Sequence, residues 1–284
     1  MMGCPICSSA RWTVRYALST YRVVRCDRCA VLYNRDFPEP QALPETFSEH
    51  YYRTVQREAF AHIGNGHRSD TSRRIYETGL SLTPPPQPGS RLLDIGCAFG
   101  AFLELATTRG WSVSGVEISP YSSRYARERG LDVFTGDVST APHPPASFDV
   151  VTLWDVIEHV RDVRATLDRA RALLKRGGHV IVTTDNFGGL IGRLASTIYA
   201  ATGGSIRYPV ERFFIPYNSC YLTNADVRSA LTQSGFHVVA ERGIDYPIDK
   251  INLSAIEKLL LRALYGAGML TGMTSQVLMV GRVD

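Results

Sequence analysis

Residues 91 to 184 alternate between short apolar runs and longer segments with helical periodicity. This alternation predicts βαβ units, whose strands pair in parallel within one sheet. One helix is expected to begin with Ser119 as N-cap and Pro120 as first helical residue, and others over 46–82, about 155–175 and 223–235. The predicted strands are 91–95, 112–117, 131–134, 148–153, 179–184, 236–241 and 276–283. An α/β, Rossmann-like fold follows.

The turn after the first of these strands reads G-C-A-F-G from Gly96 to Gly100 and follows Asp94. In open parallel sheets the ligand binds beyond the carboxyl ends of the strands, where glycines allow close approach of the backbone. A nicotinamide dinucleotide would need G-x-G-x-x-G and a helix N-terminus directed at its pyrophosphate. Asp94 would repel a pyrophosphate but suits a cationic sulfonium ligand. Glu117 ends the second strand, where an acidic residue can hold ribose hydroxyls.

Six motifs follow in order at suitable spacing: L-L-D-I-G-C-A-F-G at 92–100, G-V-E at 115–117, G-D at 136–137, F-D-V-V at 148–151, I-E-H-V at 157–160 and L-K-R-G-G at 174–178. Over roughly residues 90–240 the chain resembles class I S-adenosylmethionine-dependent methyltransferases, especially the ubiquinone-biosynthesis O-methyltransferase branch. The resemblance implies a seven-stranded, mostly parallel sheet whose last strand is antiparallel. It also implies S-adenosylmethionine as the cofactor.

The same resemblance implies which residues bind the cofactor. They are Asp94, Gly96, Gly100, Glu117, Asp137, Trp154 and Asp155. Those of the first strand and its turn would line the methionine part, Glu117 would bind the ribose, and Asp137 the adenine amino group. The last two would close the site at the end of the fourth strand. The family usually has glycine where this chain has Ala98, so cofactor contacts adjusted around one methyl group are expected.

Methyl transfer is an in-line displacement, so the enzyme must align the acceptor and often remove its proton. Asp155, Glu158 and His159 lie at i, i+3 and i+4 at the start of a predicted helix, which would bring them together. His159 is the predicted general base. In the ubiquinone O-methyltransferases the matching set has been linked to a divalent metal. The favoured alternative is that Glu158 and His159 brace the helix, because acidic residues are expected near a helix N-terminus.

Four cysteines form two C-x-x-C pairs near the N-terminus, with 18 residues between the pairs. Two residues between thiolates allow one tight turn to direct both sulfurs at one ion, and two such turns complete a tetrahedral zinc site. A closed site of this kind has a structural role, since about 40 residues build little core. The predicted ligands are Cys4, Cys7, Cys26 and Cys29. The expected domains are a zinc-binding module and linker over 1–44 and the methyltransferase domain over 45–284.

Two insertions interrupt the methyltransferase pattern, over about 185–222 and 244–274. The first is rich in aromatic residues and glycine, as expected of a lid over the acceptor, and carries Arg212 where relatives often have histidine. Tyr51 and Tyr52 are expected to close the other side of the pocket. The second has apolar residues at helical spacing and predicts a helix packed on the domain. A lipid-like substrate or a second copy of the chain in a homodimer is the alternative use of that helix.

The charge balance argues against a nucleic-acid partner, because the net charge is only +4 and the basic residues are scattered. The sequence has no run of about 18 apolar residues, so no membrane span is expected. The N-terminus lacks a signal-peptide pattern, so a cytoplasmic location is expected.

The predicted reaction is methyl transfer to a small-molecule acceptor, at a hydroxyl oxygen. A sugar C-methyltransferase is the second reading, since a four-cysteine module before a methyltransferase domain also resembles the deoxysugar enzymes. A zinc-module RNA methyltransferase is the third, supported only by arginines in the module. A non-catalytic, zinc-dependent binding protein is the alternative from another class.

Overall fold

The computed structural model describes residues 2–54, 70–246, 248 and 254–284. Its strands are β1 Trp12–Ala17, β2 Arg22–Cys26, β3 Leu32–Asn34, β4 Arg91–Ile95, β5 Ser112–Glu117, β6 Val133–Thr135, β7 Phe148–Trp154, β8 Leu174–Asp185, β9 Cys220–Tyr221, β10 His237–Ile244 and β11 Gln276–Arg282. Its α-helices are α1 Leu43–Thr46, α2 Glu49–Thr54, α3 Asp70–Ser81, α4 Ala101–Thr108, α5 Pro120–Glu128, α6 Val163–Leu173, α7 Leu190–Ala201, α8 Tyr208–Phe213, α9 Asn224–Gln233 and α10 Ala255–Thr271.

The main sheet has seven strands in the order β10-β11-β8-β7-β4-β5-β6. Strands β6, β5, β4, β7 and β8 pair in parallel, whereas β11 is antiparallel to both of its neighbours. Every residue of β7 except Asp149 is buried, as expected for a strand in a sheet that is covered by helices on both faces. The predicted fold, including the antiparallel last strand, is confirmed.

One helix prediction is wrong, and the error falls on the predicted catalytic residues. The helix expected from about 155 begins only at Val163, where the Asp162 side chain caps it by accepting a hydrogen bond from the Ala165 N–H at 2.8 Å. Asp155 has φ 54°, a left-handed conformation that cannot continue into a right-handed helix. Asp155, Glu158 and His159 therefore lie on the connection between β7 and α6.

Other boundaries differ from the prediction more modestly. Strand β8 begins at Leu174, several residues before the predicted start, and β10 extends to Ile244. The helical stretch expected over 46–82 is divided into α1, α2 and α3, and residues 55–69 of it lie outside the described residues. Ser119 caps α5 as predicted, with Pro120 in its first turn.

A second, four-stranded sheet joins the cysteine-containing segment to the first insertion. Strands β1, β2 and β3 pair antiparallel, and β9 extends the sheet through the pairs Leu32–Tyr221 and Tyr33–Cys220. The Tyr16 hydroxyl also donates to Ser196 Oγ of α7 at 2.8 Å. The N-terminal segment and the first insertion thus share one small sheet.

The second insertion forms α10, which packs against α7. Its outer side exposes several apolar side chains: Ile256, Leu259, Leu260, Met269 and Leu270. Among the described residues, no helix is long and apolar enough to cross a membrane.

Candidate active site and metal centre

A cavity of about 260 Å³ lies beyond the carboxyl ends of β4, β5, β7 and β8. Because these strands run in parallel, the residues that follow them meet at one edge of the sheet. The cavity is lined by Asp94 and the turn after it, by Glu117, by the connection after β7, and by Asp185 at the end of β8. The aromatic side chains of Phe47, Tyr51 and Tyr52 form another part of its wall.

The turn after β4 needs glycine at two positions for steric reasons. Gly96 has φ +73°, and a Cβ there would lie 2.4 Å from Val156 Cγ2. Gly100 has φ +80°, and its Cβ would lie 2.1 Å from Leu131 Cδ1. Ala98 between them also adopts a left-handed conformation, with φ 46°. Ala98, which stands where the family usually has glycine, therefore has a backbone conformation that is strained for an L-residue.

Two buried carboxylates lie beneath this turn. Glu117 accepts hydrogen bonds from the Ala98 N–H and the Ser119 N–H, both at 2.8 Å, and Asp94 accepts one from the Thr152 hydroxyl at 2.7 Å. Burial raises the pKa of Asp94 to about 8, with a further contribution from the charge of Glu117. Burial likewise raises the pKa of Glu117 above its ordinary range. Because no lysine or arginine lines this cavity in the part of the chain that the structure describes, the two carboxylates suit a ligand that carries positive charge.

A second group of carboxylates lies across the cavity, at the ends of β7 and β8. Gln276 Nε2 donates to Asp155 Oδ1 at 3.2 Å and to Asp185 Oδ1 at 3.1 Å, and the Thr183 hydroxyl donates to Asp155 Oδ1 at 3.0 Å. Burial, followed by the nearby charge of Asp155, raises the pKa of Asp185 to about 7. For Glu158 the same two causes raise the pKa well above its ordinary value.

Three buried side chains in the cavity wall have polar atoms without a hydrogen-bond partner, and one of these atoms is Trp154 Nε1. Glu158 is 2% exposed, and its Oε2 has none. Asn218 is 1% exposed, and neither Nδ2 nor Oδ1 has one. Buried polar groups are normally paired, because an unmet hydrogen bond costs about 1–3 kcal/mol.

His159 faces the same cavity from the connection after β7. Its Nδ1 lies 2.8 Å from the Tyr217 carbonyl, which can only accept, so Nδ1 carries the proton and Nε2 is an acceptor. The ring also packs edge-on against Phe47, with centroids 5.7 Å apart. Burial lowers the pKa of His159 below its ordinary value, more than the Tyr217 bond and the charge of Asp155 raise it. The ring is therefore neutral at neutral pH.

A neighbouring cavity of about 310 Å³ continues the cleft toward β6. It shares Gly96 and His159 with the first cavity and is lined at its far end by Asp137. Asp137 is exposed, and its carboxylate accepts from the Ser139 N–H at 2.8 Å. Trp154 borders the first cavity from the other direction, where it packs against Tyr76 and Phe102.

The structure brings most of the predicted site residues together and adds others. Asp185, Asn218 and Gln276 line the cavity but were not predicted, because they come from separate parts of the chain without a recognisable local motif. The acidic residue that ends β8 was the one available signal. Arg212, where relatives often have histidine, is exposed and lines neither cavity.

Aside from His159, the lysine, arginine, aspartate and glutamate side chains that line the first cavity are all of the acidic kind. Among the described residues, five acidic side chains line it and no lysine or arginine does; the five are Asp94, Glu117, Asp155, Glu158 and Asp185. Such a cavity offers carboxyl partners to a cation, which favours their ionised form, and offers no counter-charge to an anion.

The four predicted cysteine ligands form a compact cluster. Their Sγ atoms all lie within 4.8 Å of one another, with Cys4–Cys29 at 3.4 Å, Cys7–Cys29 at 3.5 Å and Cys7–Cys26 at 3.6 Å. A tetrahedral site with Zn–S bonds of about 2.3 Å places its sulfurs about 3.8 Å apart, so the cluster fits a zinc ion. All four cysteines are free of disulfides.

The two cysteine turns share one geometry. The residue after each second cysteine, Ser8 or Ala30, has a left-handed φ, and its N–H donates to the carbonyl of the first cysteine of its pair. Among the described residues, this tetrad is the one group of three or more histidine, cysteine, aspartate or glutamate side chains that lie close enough together to hold a metal ion. Asp155, Glu158 and His159 do not form a ready-made metal site.

Comparisons with known proteins agree with this geometry. Residues 67–241 match the family described as a methyltransferase domain. The ubiquinone biosynthesis O-methyltransferase of Bordetella bronchiseptica is 29% identical over 191 residues, 64% of this chain and 75% of that enzyme. That of Paracidovorax citrulli is 32% identical over 109 residues, 36% of this chain and 46% of the relative, so the match spans less than half of that protein.

Solved structures show the same fold at low identity. The [4+2]-cyclase SpnF superposes with a TM-score of 0.60 at 17% identity, over 87% of this chain and 97% of the cyclase. A chain from the Haloferax volcanii complex of the Trm112 methyltransferase activator with a putative methyltransferase superposes with a TM-score of 0.57 at 19% identity. The match covers 81% of this chain and 96% of that chain. The family match covers more than half of the chain. The chain therefore belongs to the methyltransferase domain family and is a class I S-adenosylmethionine-dependent methyltransferase.

Proposed function

We propose that this methyltransferase acts on a hydroxyl oxygen of a small-molecule acceptor, with His159 as the general base. The observation that carries the proposal is the bond between His159 Nδ1 and the Tyr217 carbonyl at 2.8 Å. It leaves a basic Nε2 on a ring that lines the cavity. The names of the ubiquinone O-methyltransferase relatives support oxygen as the acceptor atom.

In this proposal the cleft holds S-adenosylmethionine along the ends of β4, β5 and β6. When bound, the cofactor supplies an electrophilic methyl group on a positively charged sulfur. Asp94 and the turn from Gly96 to Gly100 hold the methionine part, and Glu117 accepts hydrogen bonds from the ribose. Asp137, at the far end of the cleft, accepts one from the adenine amino group. Trp154 and Asp155 close the site beside the acceptor.

His159 takes the proton of the acceptor hydroxyl at Nε2, and Tyr217 orients the ring through Nδ1. Because burial lowers the pKa of His159, the ring is uncharged and able to accept a proton near neutral pH. Its edge-on contact with Phe47 restricts ring rotation. Asp155 lies close enough to stabilise the imidazolium that forms after proton transfer, since its charge raises the histidine pKa.

A His159→Gln variant tests the base. Turnover should fall by about 100-fold or more, because general-base catalysis contributes that much, while cofactor affinity measured by calorimetry stays unchanged. His237→Gln, at an exposed histidine beside Asp284, is the matched control and should retain full activity. NMR of the product should place the new methyl group on oxygen. Full activity of His159→Gln would overturn the base assignment, and a methyl group on carbon would favour the sugar C-methyltransferase reading.

A further inference from the structure

Helix α10 of the second insertion is attached to the domain along one side only. Tyr265 and Gly268 are its two buried residues, and the Gly268 carbonyl accepts from the Met273 N–H at 2.8 Å. Leu261 and Lys258, one and two turns before Tyr265, are half-buried. Because residues at this spacing lie on the same side of a helix, they define the inner side of α10.

The opposite side of α10 is a continuous apolar stripe. Its six residues lie at positions i, i+3, i+4, i+7, i+11 and i+14, which places them on one face of the helix. All six are exposed, and this set, called the outer stripe below, is Ile256, Leu259, Leu260, Ala263, Ala267 and Leu270. Its four large side chains are between 61% and 91% exposed. An apolar face of this length that is left open to solvent marks an interaction site.

The sizes of the side chains along the outer stripe are arranged so that the stripe complements itself. Ala263 is at the centre, with Ile256 seven residues before it and Leu270 seven residues after it. Leu259 and Ala267 are each four residues from the same centre. When the stripe is turned end for end about Ala263, a large side chain meets a small one at this position, and the two large ends meet each other.

Gly266, at the edge of the outer stripe, supports the same interpretation. A Cβ there would meet nothing within 4 Å, so the packing of a single chain does not require glycine. Glycine in the interior of a helix is less favourable than alanine, because it loses more backbone freedom on folding. The residue does, however, let the backbone of a second helix approach closely.

We propose that the outer stripe is a homodimer interface, in which α10 packs antiparallel against α10 of a second copy about a two-fold axis near Ala263. An interface of this kind is self-complementary, since the same patch of both copies forms it. Ile256 of each copy then packs against Leu270 of the other, and Leu259 packs over Ala267. The antiparallel arrangement also places opposite ends of the two helix dipoles side by side.

The charge and size of the surface favour a second copy over a membrane. The charged residues of α10 are Glu257, Lys258 and Arg262, so the helix has an excess of only one positive charge, whereas helices that bind anionic lipid surfaces are rich in lysine and arginine. A helix of 17 residues is about 25 Å long, and α7, which packs beside it, exposes Leu194 and Ile198. Because standard interfaces bury about 800 Å² per partner, we expect a dimer of moderate affinity that dissociates on dilution.

Sedimentation of the full chain over a range of concentrations tests the interface. The wild type should be a dimer at the higher concentrations, and Ala263→Glu should raise the dissociation constant by about 100-fold or more, because two carboxylates then meet at the axis. Glutamate has nearly the helix propensity of alanine, and position 263 is exposed, so cofactor affinity should be unchanged. Ala172→Glu, at an exposed position in α6, is the matched control and should remain a dimer.

Cross-linking with copper–phenanthroline as oxidant tests the orientation of the two helices. Ala263→Cys should form a disulfide between copies, because position 263 lies near the axis. Ile256→Cys alone should not, since antiparallel packing separates the two copies of position 256 by 14 residues of helix, about 21 Å, too far for a disulfide. A mixture of Ile256→Cys and Leu270→Cys should cross-link.

Three results would overturn the proposal. The first is a wild type that stays monomeric throughout the micromolar range, and binding of such a monomer to vesicles of anionic phospholipid would assign the outer stripe to a lipid surface instead. The second is an Ala263→Glu variant that dimerises as well as the wild type. The third is a disulfide formed by Ile256→Cys alone, which requires parallel helices.

Discussion

Tyr33 in the cysteine-containing segment pairs with Cys220, two residues beyond Asn218, which lines the first cavity. On the same segment, the Asn34 side chain donates to the Pro216 carbonyl at 2.9 Å, and the Ser219 N–H donates to the Glu158 carbonyl at 2.7 Å. The small sheet that contains the cysteine cluster is thereby hydrogen-bonded to the segment that lines the cavity.

Loss of zinc should therefore impair acceptor turnover more than cofactor binding. The purified protein should contain about one zinc per chain, and a Cys29→Ser variant should lose it, because a structural zinc contributes folding free energy. Displacement of β9 by about 1 Å would lower turnover by about 100-fold. Elemental analysis measures the zinc content, calorimetry measures cofactor binding, and turnover assays measure the activity on the acceptor. Cys220→Ala, at a buried cysteine outside the tetrad, should keep the metal. Full zinc content in Cys29→Ser would contradict the assigned ligands.

Cofactor affinity should increase with pH up to about 8. Burial raises the pKa of Asp94 to about 8, so without ligand this carboxyl is mostly protonated at pH 7. A cationic cofactor favours the ionised form, and binding must therefore release a proton below that pH. Affinity should rise by up to about tenfold per pH unit between 6 and 8 and then level off. Calorimetry in buffers of different ionisation enthalpy measures the released proton. Asp94→Asn should reduce the pH dependence and leave only the part due to Glu117, whose pKa burial also raises, and a flat profile in the wild type would argue against Asp94 as the cation's partner.

Ala98→Gly should stabilise the protein. The left-handed φ of 46° costs an L-residue about 1–2 kcal/mol, and the backbone entropy of glycine offsets about 0.5–1 kcal/mol of that. A net gain of about 0.5–1 kcal/mol in the free energy of unfolding follows, readable as a shift in the denaturation midpoint. Ala172→Gly, at an exposed position in α6, should instead destabilise the protein by up to about 1 kcal/mol. Equal effects at both positions would refute strain at Ala98.

The sequence was informative where local patterns determine structure. The glycines at 96 and 100 and the acidic end of β5 could be predicted, because the turn sterically requires glycine and the strand order follows from βαβ units. The cysteine tetrad could be predicted from spacing alone. In contrast, the connection after β7 could not be, because Asp155 adopts a left-handed conformation that its residue type does not reveal. The roles that these residues play in binding and catalysis remain predictions.

The contributions of Asn218 and Gln276 to the cavity lining are the part that local patterns could not predict. Asn218 reaches the cavity because β9 joins the small sheet, a pairing between residues almost 190 apart in sequence, as in Leu32–Tyr221. Gln276 joins Asp155 and Asp185 because the last strand is inserted next to β8. Both contacts depend on long-range strand pairing, which no periodicity or motif in a single sequence encodes.

Glu117 has two carboxylate oxygens, and each accepts one backbone hydrogen bond, one from the Ala98 N–H and the other from the Ser119 N–H. Each oxygen keeps a further lone pair, which is what the ribose hydroxyls of the cofactor require. In Glu117→Gln, the amide NH₂ must face one of these backbone donors, so the turn loses a bond and the ribose loses a charged acceptor. Cofactor binding should weaken by about 1.5–3 kcal/mol, the range for hydrogen bonds to charged groups. Calorimetry with S-adenosylmethionine and its demethylated product measures the change, and Glu128→Gln on the exposed side of α5 is the control. Unchanged affinity in Glu117→Gln would mean that the ribose is bound elsewhere.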